Sequence, residues 1–166
     1  MEPRKIRNEL RNCKSRSLSR RRGIVGLSLV AAGSMGLIAL YQTGIIRHIP
    51  EPPLPRFDAD KVVASEEAYA MLHTPDALLG LTSFGATAAL AAMEGKDRAA
   101  VHPWIPLALA AKLLLDASQA ARLSTHQWTR HRAFCFWCLV ASGATFASLP
   151  LALGETWEAF RQLKRS

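Results

Sequence analysis

The sequence predicts an all-α protein: an integral membrane bundle of four transmembrane helices, with a short surface helix in the first extramembrane loop. Three observations carry this. Apolar runs fill the middle of the 166-residue chain and polar stretches its ends, so a mean hydropathy of +0.07 averages two different compositions. Basic residues are segregated, with nine of the 21 Lys and Arg in the first 22 positions. The run 133–154 contains no charged residue and is long enough to cross a bilayer, which takes about 20 apolar residues. The length fits one domain.

The elements follow in order. Residues 1–22 form a basic tail, whose charge suits the cytoplasmic side of a membrane and anionic lipid headgroups. Nucleic acid is not required to explain it. The uncharged run 23–41 has nineteen residues and reaches about 28 Å as a helix, enough to span. A signal peptide is the alternative, but the run is long for one, and its cleavage-like Ala31-Ala32-Gly33 lies inside the apolar stretch. The connection 42–73 begins proline-rich (Pro50, Pro52, Pro53, Pro55), hence extended. Ser65 then caps a predicted surface helix over 66–72, with Glu66 and Glu67 in its first turn.

Thr74-Pro75-Asp76 starts the second span, 75–93, with a cap, a proline and an acid in sequence. Its Gly80, Gly85 and alanines allow close helix approach in lipid. The third span, 103–123, has Trp104 as an interfacial anchor. It carries Lys112 and Asp116, spaced to pair within the helix, and Gln119. Such residues inside a span face the bundle interior, as an internal ion pair or as the lining of a proton route. The fourth span is 133–154, with Pro150 kinking or ending its last turn. Residues 155–166 form a short amphipathic tail bearing Trp157, Phe160 and Leu163.

With the N-terminus in the cytoplasm, four spans place the N-tail, the 94–100 turn and the C-tail on one side. These hold nine, two and three Lys and Arg, fourteen in all, against six on the other side; Lys112 completes the 21. The bias predicts both termini cytoplasmic, in a cell inner membrane. Domain organisation is then a cytoplasmic tail 1–22, a four-span domain 23–154 and a cytoplasmic tail 155–166.

Cys135-Phe136-Trp137-Cys138 heads the fourth span, near the non-cytoplasmic face, where disulfides persist. Thiols three residues apart lie on one helical face, one turn apart, which suits a dithiol that closes and reopens. The helix start and the upstream Arg130 and Arg132 favour a thiolate. The alternatives are packing cysteines and a metal site with His126 and His131, whose spacing is not that of a standard finger and whose arginine neighbours oppose a cation. No metal is expected. Cys13 lies across about 30 Å of hydrocarbon from the pair and is expected to be idle.

Phe134-Cys135-Phe136-Trp137-Cys138, preceded by Gln127-Trp128, and Thr74-Pro75-Asp76-Ala77-Leu78-Leu79-Gly80 resemble motifs of the vitamin K epoxide reductase family, bacterial members included. The resemblance covers 23–154. It implies a four-helix bundle enclosing a quinone of the ubiquinone or menaquinone type, and electron transfer between a dithiol and that quinone. It also implies a thioredoxin-like partner on the non-cytoplasmic side. By position, Cys135 would exchange with the partner's thiols and Cys138, deeper in the membrane, would attack the quinone. Asp76 and Gly80 fall in the stretch resembling the family's quinone-contacting Pro-Asn-Ser-x-x-Gly. Asp76 stands where the family has an asparagine, and only a protonated aspartate can donate to a carbonyl. Ser142 stands where a tyrosine is common. The 42–73 loop lacks the family's relay pair of cysteines, so Cys135 would meet its partner directly. A non-catalytic helical bundle, with a possible metal-binding role, is the rival function.

Overall fold

Ser15 starts the long first span. Its hydroxyl accepts the Leu18 N–H at 3.2 Å, capping a helix that the sequence then sustains for 27 residues. In the computed structural model, which describes residues 3–69 and 74–165, this helix is α2 (Arg16–Gln42), and α1 (Pro3–Asn12) precedes it. Buried Leu18, Arg21, Ile24, Ser28, Ala31 and Ile38 recur at helical spacing along one stripe of α2, while Leu29 and Val30 are exposed. The small members of that stripe let neighbouring helices approach closely.

The remaining helices are α3 (Ala59–Val63), α4 (Asp76–Ala92), α5 (Arg98–Val101), α6 (Trp104–His126) and α7 (Phe136–Arg165). A 3₁₀ turn covers Glu66–Tyr69 and a π turn Gln127–His131. α2 lies between α4 and α7, and α6 closes the bundle against α7 and α4. This is an all-α membrane bundle of four helices. α2 and residues Phe136–Leu163 of α7 are long and apolar enough by themselves to cross a membrane. α4 is apolar but has 17 residues, about 26 Å of helix, and α6 is longer but carries Lys112 and Asp116.

Several boundaries differ from expectation. α4 begins at Asp76, with Pro75 in the cap position and no side-chain cap bond. In the surface segment α3 is capped by Asp58, whose Oδ1 accepts the Lys61 N–H at 3.0 Å, and a 3₁₀ turn covers Glu66–Tyr69, the first part of the helix expected over 66–72; residues 70–73 lie outside the described residues. α7 runs on through Pro150 to Arg165. The proline removes one helical hydrogen bond, but buried Ser148, Ala152, Glu155 and Ala159 on either side hold the helix against its neighbours.

The bundle has two distinct ends. At one, Arg21 donates to the carbonyls of Ala91, Met93, Glu94 and Gly95, satisfying the free C-terminal carbonyls of α4 and the turn after it. Beside it, buried Arg98 grips Glu155 through two hydrogen bonds of 2.7 and 2.8 Å. These contacts gather the start of α2, the end of α4 and the end of α7. At the other end, the end of α2, the start of α4, the 49–63 segment and residues 133–138 share an apolar cluster.

Candidate functional site

The second end contains the cysteine pair. The π turn widens the end of α6, and Arg132 follows it with a left-handed φ of 46°, reversing the chain toward α7. Cys135 is therefore the residue just before α7, not one inside it. Its carbonyl accepts the Leu139 N–H at 3.1 Å, and its sulfur accepts the Cys138 N–H at 3.2 Å. The thiol thus serves as the helix cap, in contact with an otherwise unpaired N–H of the first turn.

Both cysteines are free thiols here. Cys135 is fully buried, and Cys138, one turn into α7, is partly exposed. The hydrogen bond from the Cys138 side chain, outweighing burial, holds the Cys135 thiol below its ordinary pKa. Arg130 and Arg132, upstream in sequence, are exposed.

Gln127 bridges the pair. Its Oε1 accepts the Cys135 N–H at 3.2 Å, and its amide also reaches the Cys138 thiol. On the other side of Cys138 stands Asp76, close enough for its charge to be felt there. Gln42, the last residue of α2, donates to Asp76 Oδ1 at 2.8 Å and accepts the Ala77 N–H at 3.3 Å, fixing the start of α4. Gly80, one turn along α4, faces Met35: a Cβ there would lie 2.9 Å from the Met35 sulfur. Ser142, one turn below Cys138, donates to the Cys138 carbonyl at 2.9 Å and lies 3.5 Å from Ser124 Oγ. The structure thus gathers Cys135, Cys138 and Asp76 at one end, with Gly80 and Ser142 a turn further in on α4 and α7.

The 42–69 stretch covers Cys135. Phe134 donates its N–H to the Arg56 carbonyl at 2.8 Å and accepts the Asp58 N–H at 3.1 Å, an isolated parallel bridge. The Trp137 indole donates to the Pro50 carbonyl at 2.6 Å. Around the outside, Trp128 stacks on Phe134 with centroids 5.6 Å apart, and the Arg56 guanidinium lies over Trp128.

Gln42, Met35 and the covering role of Phe134 were not visible in the sequence. Gln42 offered one signal, a polar residue closing an apolar run, but its partner Asp76 lies 34 residues away. Lys112 and Asp116 do pair, at 2.7 Å, with Ser83 and Thr87 completing the carboxylate's bonds. Asp116 sits against a cavity of about 10 Å³ that reaches Ser148, ten residues along α7 from Cys138. Among the described residues, no three His, Cys, Asp or Glu side chains are grouped to hold a metal ion, so His126 and His131 do not join the cysteines in such a group.

No curated protein matches the chain, and no solved structure matches it. The profile of the Vitamin K epoxide reductase family matches residues 23–153, from the middle of α2 to the lower part of α7, and so takes in the whole constellation just described. The chain belongs to the vitamin K epoxide reductase family, whose members are membrane oxidoreductases working between thiols and a quinone.

Proposed function

We propose that this protein carries electron pairs from the thiols of a thioredoxin-like protein, on the non-cytoplasmic side of a cell inner membrane, to a membrane quinone of the ubiquinone or menaquinone type. Both termini are placed in the cytoplasm. The observation that carries this reading is the placing of Cys135 and Cys138 together at the head of an apolar helix long enough to cross a membrane, Cys135 fully buried and Cys138 partly exposed.

The residues present fit a quinone. Gly80 leaves a bare patch of α4, and the side chain lying against it is the unbranched, adaptable Met35. Asp76 and Gln42 form a polar end beside partly exposed Cys138. When bound, the quinone supplies a two-electron, two-proton acceptor and leaves as hydroquinone. Asp76 would orient it, donating to a carbonyl oxygen when protonated, while the Gln42 amide, engaged with Asp76 and the Val63 carbonyl, holds Asp76 in place. Gly80 and Ser142 would line the quinone's site. Cys138 is the thiol on the quinone side.

Cys135 meets the partner. A partner thiolate attacks the Cys135–Cys138 disulfide at Cys135, giving a mixed disulfide and releasing Cys138 as a thiolate. The partner's second thiol then frees Cys135. Because Cys135 is buried, attack requires the Phe134 bridge and the Trp137–Pro50 bond to part first. Without loop cysteines to relay electrons, the partner itself opens this cover.

The test is anaerobic mixing of purified, reduced protein with a short-chain ubiquinone. The expected result is loss of two thiols per quinone reduced, abolished by Cys135→Ala and by Cys138→Ala. Thiols that stay reduced in the unmutated protein would overturn the reading.

A further inference from the structure

Among the described residues, Glu51 Oε2 is the buried side-chain polar atom left without a hydrogen-bond partner. The other oxygen, Oε1, accepts the Ala59 N–H at 2.8 Å, at the start of α3. The carboxyl group is therefore anchored by one oxygen while the second is shielded from water and unused. A buried carboxylate oxygen in that state is costly unless a donor or a proton reaches it.

Its surroundings place it beside the CxxC. The preceding residue, Pro50, accepts the Trp137 indole hydrogen bond, within the CxxC. Ile49 and Ala59, on either side of Glu51 in space and sequence, pack in the apolar cluster that contains Cys135. The charge of Glu51 is felt at the Cys135 thiol, where it opposes ionisation. The other titratable groups at this corner are otherwise engaged or turned away. His48 pairs with Asp60 at 2.9 Å, and Asp58 caps α3. Asp76 is held by Gln42, and Arg56 lies over Trp128. Lys61 and Arg132 are exposed, and Tyr41 lies in the last turn of α2. Cys138 donates to Cys135 from α7.

We propose that Glu51 is the proton acceptor for Cys135, its free Oε2 taking the thiol proton as the Cys135–Cys138 disulfide closes and passing a proton from the partner's thiols back to Cys135 when the disulfide is opened. The inference rests on the redox cycle proposed above. On closing, the Cys135 S–H bond breaks, its proton goes to Oε2, and an S–S bond forms to Cys138. Two electrons leave for the quinone, with two protons, one from the Cys138 thiol and one released by Glu51. On opening, the partner's two thiols supply two electrons and two protons; one proton reaches the Cys135 thiolate through Glu51 and the other goes to Cys138. A general base at this place contributes about 10²-fold or more.

The test uses diamide, which closes dithiols without a quinone, on the purified full-length protein in a Cys13→Ser background. Closure is followed between pH 6 and 9.5 by counting alkylatable thiols. Glu51→Gln is expected to close roughly 100-fold more slowly at pH 6–7, the gap narrowing to about twofold at pH 9.5, where the thiol ionises unaided. Glu51→Asp should regain most of the rate, and the melting temperature of Glu51→Gln reports whether the fold is kept. The sign is decisive: a carboxylate that only repelled the thiolate would, when removed, make closure faster at pH 7. Faster closure, equal rates at every pH, or a slowing that does not depend on pH would each overturn the proposal. Unmutated protein that closes with diamide but not with ubiquinone would instead defeat the quinone reading while leaving the Glu51 result intact.

Discussion

The indole N–H of Trp137 donates to the Pro50 carbonyl at 2.6 Å, a bond across 87 residues that ties the centre of the CxxC to the segment covering it. With the Phe134 bridge, it keeps Cys135 fully buried. The same residues that position the dithiol therefore restrict access to it.

Trp137→Phe keeps the ring and loses the donor. One neutral hydrogen bond contributes about 1 kcal/mol, so opening of the cover should rise roughly fivefold. Alkylation of Cys135 by an impermeant maleimide should accelerate by that factor, with the melting temperature little changed. An unchanged alkylation rate would show that this bond does not hold the cover.

The Cys135 thiol is held below its ordinary pKa first of all by the hydrogen bond from the Cys138 side chain. Its thiolate should therefore persist as pH falls below the usual thiol range near 8.5, and vanish only through the depressed value. Removing the donor reverses this. In Cys138→Ala, the pH midpoint for alkylating Cys135 should move alkaline and the rate at pH 7 should fall. The check is a pH series of iodoacetamide labelling on both proteins.

Gly80→Ala puts a methyl group 2.9 Å from the Met35 sulfur and 3.0 Å from its Cγ. Methionine can swing away, so the cost should lie at the low end for overpacking, about 1 kcal/mol. Met35→Ala in the same protein removes the clashing atoms. The double variant should then show a smaller loss than the sum of the two singles, read as melting temperatures in detergent.

Arg98 and Glu155 form a bidentate pair with side chains 0% and 7% exposed. Glu155→Ala leaves a buried cation and should cost about 3–5 kcal/mol. Arg98→Met with Glu155→Leu should recover part of this. Recovery should be incomplete, because Arg98 also donates to the carbonyls of Leu90 and Met93. Unfolding in detergent as SDS is titrated measures both.

The sequence by itself determined the four long helices and the chemistry available to them. Uncharged runs long enough for a bilayer mark the spans, because lipid cannot hydrogen-bond an open backbone. Two thiols at CxxC spacing, and the start of α4 at Asp76, are likewise local patterns. Ends of elements were less legible: α7 outlasts Pro150 and Gly154 because its later turns are buried against other helices, through Ala152 and Glu155. Only the tertiary structure decided that Gln42 fixes Asp76, that Gln127 bridges the cysteines, and that Glu51 Oε2 is buried and unused. These are contacts between distant stretches of chain, and no local spacing encodes them. They exist because four packed helices bring the end of α2, the start of α4 and the head of α7 to the same end of the bundle.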